Sequence, residues 1–131
     1  MEKKERPRVV PSQTIKTEVG CCKLFITVGF DKSGIPLEVF AASSKSGGCK
    51  ANLEAVCRLT SELLQHGLVD EAVNHLENII CPVCKQRKGE LPKEQRKDFP
   101  NSCADAIAKF LKELMTPKVP KGPLVEIVKR N

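Results

Sequence analysis

Neither tryptophan nor tyrosine occurs in this sequence, and five phenylalanines supply all of its aromatic volume. The stacking platforms that hold single-stranded nucleic acid are therefore scarce, and the core must be built from aliphatic side chains. Long hydrophobic runs are missing too. None approaches the roughly 18 apolar residues that span a bilayer, and Met1 to Gly20 is charged where a secretory leader would be apolar. The expectation is a cytoplasmic protein with no membrane association. There is no G-x-G-x-x-G, Walker loop, H-E-x-x-H or G-x-S-x-G. Asp31-Lys32-Ser33-Gly34 lacks calcium-loop spacing and reads as a turn. No carboxylate pair stands in an apolar setting suited to acid–base chemistry.

What is present fits one domain: 131 residues, of which 40% are hydrophobic. The formal net charge is +6. Lysines and arginines are spread over both ends and one loop, interleaved with acids, so the charge does not form a nucleic-acid-binding stripe and nucleic acid is not expected as a partner.

Residues 1–13 are charged, contain two prolines and read as a flexible arm. Lys23 to Phe30 is rich in β-branched and aromatic residues and predicts a strand. Ile35 to Ala41 predicts a second strand after the turn, and Thr14 to Val19 a third, forming an antiparallel meander. Helical spacing follows in Leu53, Val56, Cys57, Thr60, Leu63 and Leu64, with Gly67 as the stop. Asp70 predicts the N-cap of a helix carrying Ala72, Val73, Leu76, Ile79 and Ile80. Lys85 to Pro100 reads as a polar loop. Ser102 and Asp105 form a capping box ahead of Ile107, Phe110, Leu111 and Leu114. Prolines at 117, 120 and 123 then leave an extended tail over 117–131. The expected class is α+β: a three-stranded antiparallel meander followed by about three helices on one face, spanning 14–116.

Seven cysteines punctuate this plan. A cytosolic compartment keeps thiols reduced, so metal ligands or redox thiols are favoured over a disulfide framework. Cys81-Pro82-Val83-Cys84 is a C-x-x-C whose two sulfurs can reach one tetrahedral ion. Cys103 follows at a helix start. The residue pattern favours Cys49 as a fourth donor, because it follows Gly47-Gly48 and opens a helix whose N-terminus suits an anion. The same reasoning predicts depressed thiol pKa values at Cys49 and Cys103. Cys21 and Cys22 are further candidates, with only one of the two expected to face a shared site. Cys57 belongs to an apolar helix face. Zinc is the favoured reading of Cys81, Cys84 and Cys103, a reversible redox pair at Cys81/Cys84 the second, and inert packing the last. His66 and His75 lie on helical segments with no motif around them.

Asn101-Ser102-Cys103-Ala104-Asp105-Ala106-Ile107-Ala108 resembles the Thr-Ser-Cys-Pro-Asp signature of TSCPD domains, with Asn for Thr and Ala for Pro. Thr17 to Val28, Glu38-Val39-Phe40, Gly47-Gly48-Cys49 and Ile79-Ile80-Cys81-Pro82 fit the same family in order, so the resemblance spans roughly residues 6–115. TSCPD domains resemble the C-terminal extension of adenosylcobalamin-dependent ribonucleotide reductases. That resemblance implies metal ligands at Cys21, Cys49, Cys81 and Cys103, which leaves Cys21 and Cys84 as rivals for one position. It also implies a link to deoxyribonucleotide synthesis and DNA replication, with a reductase catalytic subunit as partner, and through it to nucleotide binding and oxidoreductase chemistry. A chain of 131 residues is too short for the reductase barrel, so an accessory module is expected rather than a self-sufficient ribonucleoside-diphosphate reductase. The layout is also similar, more weakly, to NifU-type iron–sulfur scaffold proteins, which bind zinc or a nascent iron–sulfur cluster through three cysteines.

Overall fold

Strand-forming residues at the start and amphipathic periodicity later sort this chain into a sheet and a helical layer. A computed structural model describes residues 2–44 and 48–116. Strands β1 (Ser12–Glu18), β2 (Lys23–Phe30) and β3 (Pro36–Ser43) form one antiparallel sheet in the order β1-β2-β3. Thr14 lies opposite Thr27 and Ile15 opposite Ile26, and across the other ladder Val28 lies opposite Val39. The period of two sends Leu24, Ile26 and Val28 into the core, each fully buried, and leaves Phe25 exposed on the other face. The register shifts at Gly29/Phe30.

Helices α1 (Gly48–Gln65), α2 (Val69–Leu76), α3 (Pro82–Gly89), α4 (Lys93–Arg96) and α5 (Cys103–Met115) follow. The core joins the inner sheet face to Leu53, Cys57 and Leu64 of α1, Ala72 and Val73 of α2, and Ile107, Phe110 and Leu111 of α5. The α+β arrangement expected from the sequence is therefore found, with five helices where about three were anticipated. Helix α1 lies along β3, where the Ser61 hydroxyl accepts from the Val39 amide (2.9 Å) and donates to the Val39 carbonyl (3.2 Å). That contact covers a strand edge that would otherwise present unpaired backbone groups. Gly67, at φ 78°, ends α1. Its amide bonds to the Leu64 carbonyl and that of Leu68 to the Leu63 carbonyl, a Schellman closure that requires a left-handed residue.

Three local expectations are corrected. Asp70 is not the cap of α2: Leu68 holds that position without a side-chain bond, and Asp70 sits in the first turn. The helix stops at Leu76, and Ile79 and Ile80 lie beyond it with exposed side chains. Asn78, at φ 65°, turns the chain there. The polar stretch 85–100 contains most of α3 and all of α4, short helices with one buried residue between them, Cys84. With almost no apolar face, neither produces the periodicity by which a helix is read.

The segment ahead of β1, expected as an arm, lies against the domain. The Lys4 amide donates to the Gln65 carbonyl (2.7 Å), and Arg6 makes a two-pronged bond to the buried Glu38 carboxylate (2.5 and 3.1 Å). The expected tail over 117–131 lies outside the described residues, as does Gly47.

Candidate metal centre

Six of the seven cysteines line a single cavity of about 320 Å³. Cys21 and Cys22 come from the β1–β2 connection, Cys49 from the first turn of α1, Cys81 and Cys84 from the start of α3, and Cys103 from the first turn of α5. Leu53, Val56 and Ala104 supply apolar wall. Every cysteine singled out from sequence is in this set. The seventh, Cys57, faces the groove between β3 and α1 instead, and burial pushes its thiol up to about 11.

Local structure fixes each contributor. Cys81 caps α3, with Pro82 at the first helical position where its missing amide costs nothing. This turn places Cys84 one helical turn later, fully buried. Gly20 presses onto it: a Cβ at residue 20 would stand 2.6 Å from both the Cα and the amide nitrogen of Cys84. Only a residue without a side chain allows that approach, and the Gly20 amide uses it to donate to Cys84 Sγ at 3.1 Å. The Cys81 amide in turn donates to the Asn101 carbonyl (2.8 Å), which ties the start of α3 to the start of α5.

Asp105 holds the opposite wall. Its carboxylate is 1% exposed and accepts from the Asn78 amide (2.8 Å) and the Asn101 amide (2.9 Å), while its own amide donates to Ser102 Oγ (2.9 Å). Burial pushes this carboxyl up, but the two amides and the Lys109 ammonium more than offset it, so the group stays below its ordinary range. One side chain thereby anchors the segments on both sides of the C-x-x-C. From sequence, Asp105 is visible only as half of a capping box.

The electrostatics run against the expected thiolate at the helix start. Burial, reinforced by the neighbouring Cys22, Cys84, Cys21 and Cys81, pushes the Cys103 thiol up to about 12. Burial also raises Cys84, which the Gly20 amide moderates and Cys81 reinforces. At Cys103 the helix N-terminus is outweighed first by burial and then by the sulfurs that face it. Cys21 and Cys22, of which only one was expected to face the site, both do. Both precede β2, so strand alternation does not separate them; both line the cavity, with their sulfurs 3.7 Å apart. Among the described residues, no three His, Cys, Asp or Glu side chains are arranged to grip an ion as they stand. The chemistry of the donors nonetheless fits a soft divalent cation: the cavity gathers sulfur ligands in an apolar wall, and a cation would turn their mutual repulsion into attraction.

The family model of the TSCPD domain matches residues 2–115, so this chain belongs to the TSCPD domain family, which is associated with ribonucleotide reductases. No curated protein and no solved structure matches it. Among the described residues, no helix is long and apolar enough to cross a membrane.

Proposed function

We propose that this chain is an accessory module for ribonucleotide reductase, in which zinc held by cavity cysteines braces a small domain that docks on a reductase catalytic subunit or stands in for its tail. One observation carries the metal half of this reading: cysteines far apart in sequence converge on one cavity from the β1–β2 connection, α1, α3 and α5. Cys49, Cys81 and Cys103 would hold the ion, together with Cys84 or Cys21. Bound zinc would supply a fixed positive centre and a crosslink between those elements. The residues themselves position the donors: Gly20 and Asp105 fix the two walls, and Leu53 and Val56 keep water from one side. The reductase half rests on family membership. On this reading the chain serves deoxyribonucleotide synthesis and DNA replication in the cytoplasm, without nucleotide chemistry of its own.

A thiol–disulfide relay through Cys81 and Cys84 is the second reading, favoured by the C-x-x-C spacing, which sets both residues on the lining of one cavity. Against it, Cys84 is buried and its thiol is raised, which slows thiolate attack. An iron–sulfur scaffold role ranks lower, because a site saturated by four protein sulfurs leaves no open position for transfer.

The test is zinc content of the purified chain with thiol titration before and after chelation. Cavity thiols that react only after chelation support the brace, whereas a fast-reacting pair in untreated, metal-free protein supports the relay. Binding to a purified reductase catalytic subunit tests the partner, and deoxynucleotide formation by this chain alone would contradict the accessory role.

A further inference from the structure

The cavity holds more sulfur than one ion can use. A tetrahedral zinc takes four thiolates, yet Cys21, Cys22, Cys49, Cys81, Cys84 and Cys103 all line the same space. The two ligand sets that sequence reasoning separates, one with Cys84 and one with Cys21, are therefore both available, and Cys22 is added to them. We propose that the cavity takes two soft divalent ions that share two bridging thiolates, so that six cysteines complete two tetrahedra. This rests on the metal-centre reading above and adds its stoichiometry.

Charge favours the pairing. Four thiolates on one dication leave a residual charge of about −2, and six on one dication would leave about −4, in an apolar wall where uncompensated charge is costly. Six thiolates on two dications return to about −2, as in dinuclear zinc–cysteine modules. A second ion thus admits the two remaining sulfurs at no further cost in net charge, and Lys50 in the cavity lining offsets part of what is left. Distance agrees as well. Zinc–sulfur bonds of about 2.3 Å imply a tetrahedron edge of about 3.8 Å, and the sulfurs of Cys21 and Cys22 are 3.7 Å apart. The two sulfurs meet at that spacing through a thiol–thiol hydrogen bond, which ligation of a shared ion would replace without moving them apart. The apolar wall and the Gly20 amide aimed at Cys84 Sγ distinguish the cavity from a chance gathering of thiols.

The experiment is a titration of the reduced, chelator-stripped full-length chain with zinc or cadmium, read by native mass spectrometry and by cadmium-113 resonance. Two ions per chain and two cadmium signals are expected. One ion per chain overturns the shared-thiolate arrangement and leaves the single-zinc brace standing; no ion overturns both. Cys22→Ser is expected to lower the count from two to one, while Cys57→Ser, outside the cavity, keeps two. A Cys22→Ser chain that still takes two ions contradicts the six-sulfur count. Should that variant fail to fold, the unmodified chain's stoichiometry decides alone.

Discussion

Gly20 and Asp105 do for the cysteines what no cysteine does for itself. At Gly20 an added methyl meets backbone rather than a yielding side chain, so the β1–β2 connection must withdraw from α3 or the helix must shift. Gly20→Ala is expected to lower stability by about 1–3 kcal/mol, the range for overpacking, measured as the urea midpoint. Gly34→Ala meets no neighbour and suffers only its positive φ, so it is expected to cost about 1 kcal/mol. Equal losses at both positions would contradict the close approach. Asp105→Asn keeps the side chain's size but turns an amide NH₂ towards one of two buried backbone donors. It is expected to cost about 2–3 kcal/mol, the penalty for leaving a buried group without its charged acceptor. A loss below about 0.5 kcal/mol, typical of a neutral surface change, would show that the carboxylate does not anchor the walls.

At the scale of elements, legibility followed the apolar pattern. Strand β2 is found over the stretch predicted from its β-branched content, and α5 opens at the Ser102 cap because a side-chain oxygen takes a free amide there. Helices α3 and α4 were not legible, since lysines, arginines and glutamines line nearly all of their surface and only Cys84 is buried. The docked segment ahead of β1 was hidden for a different reason: its partners are charges distant in sequence. Lys4 reaches Asp31 at 2.6 Å. Burial pushes the Asp31 carboxyl up, but the Lys4 ammonium and the amides of Ile35 and Ser33 more than offset it, so its pKa lies below the ordinary carboxylate value. A depressed pKa contributes stability that is present above the unfolded-state value and is lost as pH falls through the folded one. The acid limb of the stability profile is therefore expected to flatten in Asp31→Asn, read by urea midpoints from neutral pH downward. An unchanged limb would contradict the linkage.

For the whole molecule, the question is whether aliphatic packing suffices or a metal crosslink is required. Six sulfurs in one cavity were legible one by one, but their convergence was not, because it depends on long-range packing of four segments and on where Gly20 lets the chain approach. If the crosslink is real, Cys103→Ala removes a donor shared by separate elements and is expected to leave the chain unfolded or insoluble. Cys57→Ala removes only buried volume and is expected to cost about 1–2 kcal/mol. The same account is tested most directly by the urea midpoint of the purified chain with and without a strong zinc chelator, under constant reductant. Structural zinc contributes on the order of 10 kcal/mol to folding in small zinc domains, comparable to or above the usual net stability, so chelation is expected to abolish the cooperative transition. An unchanged midpoint after chelation would contradict the metal brace.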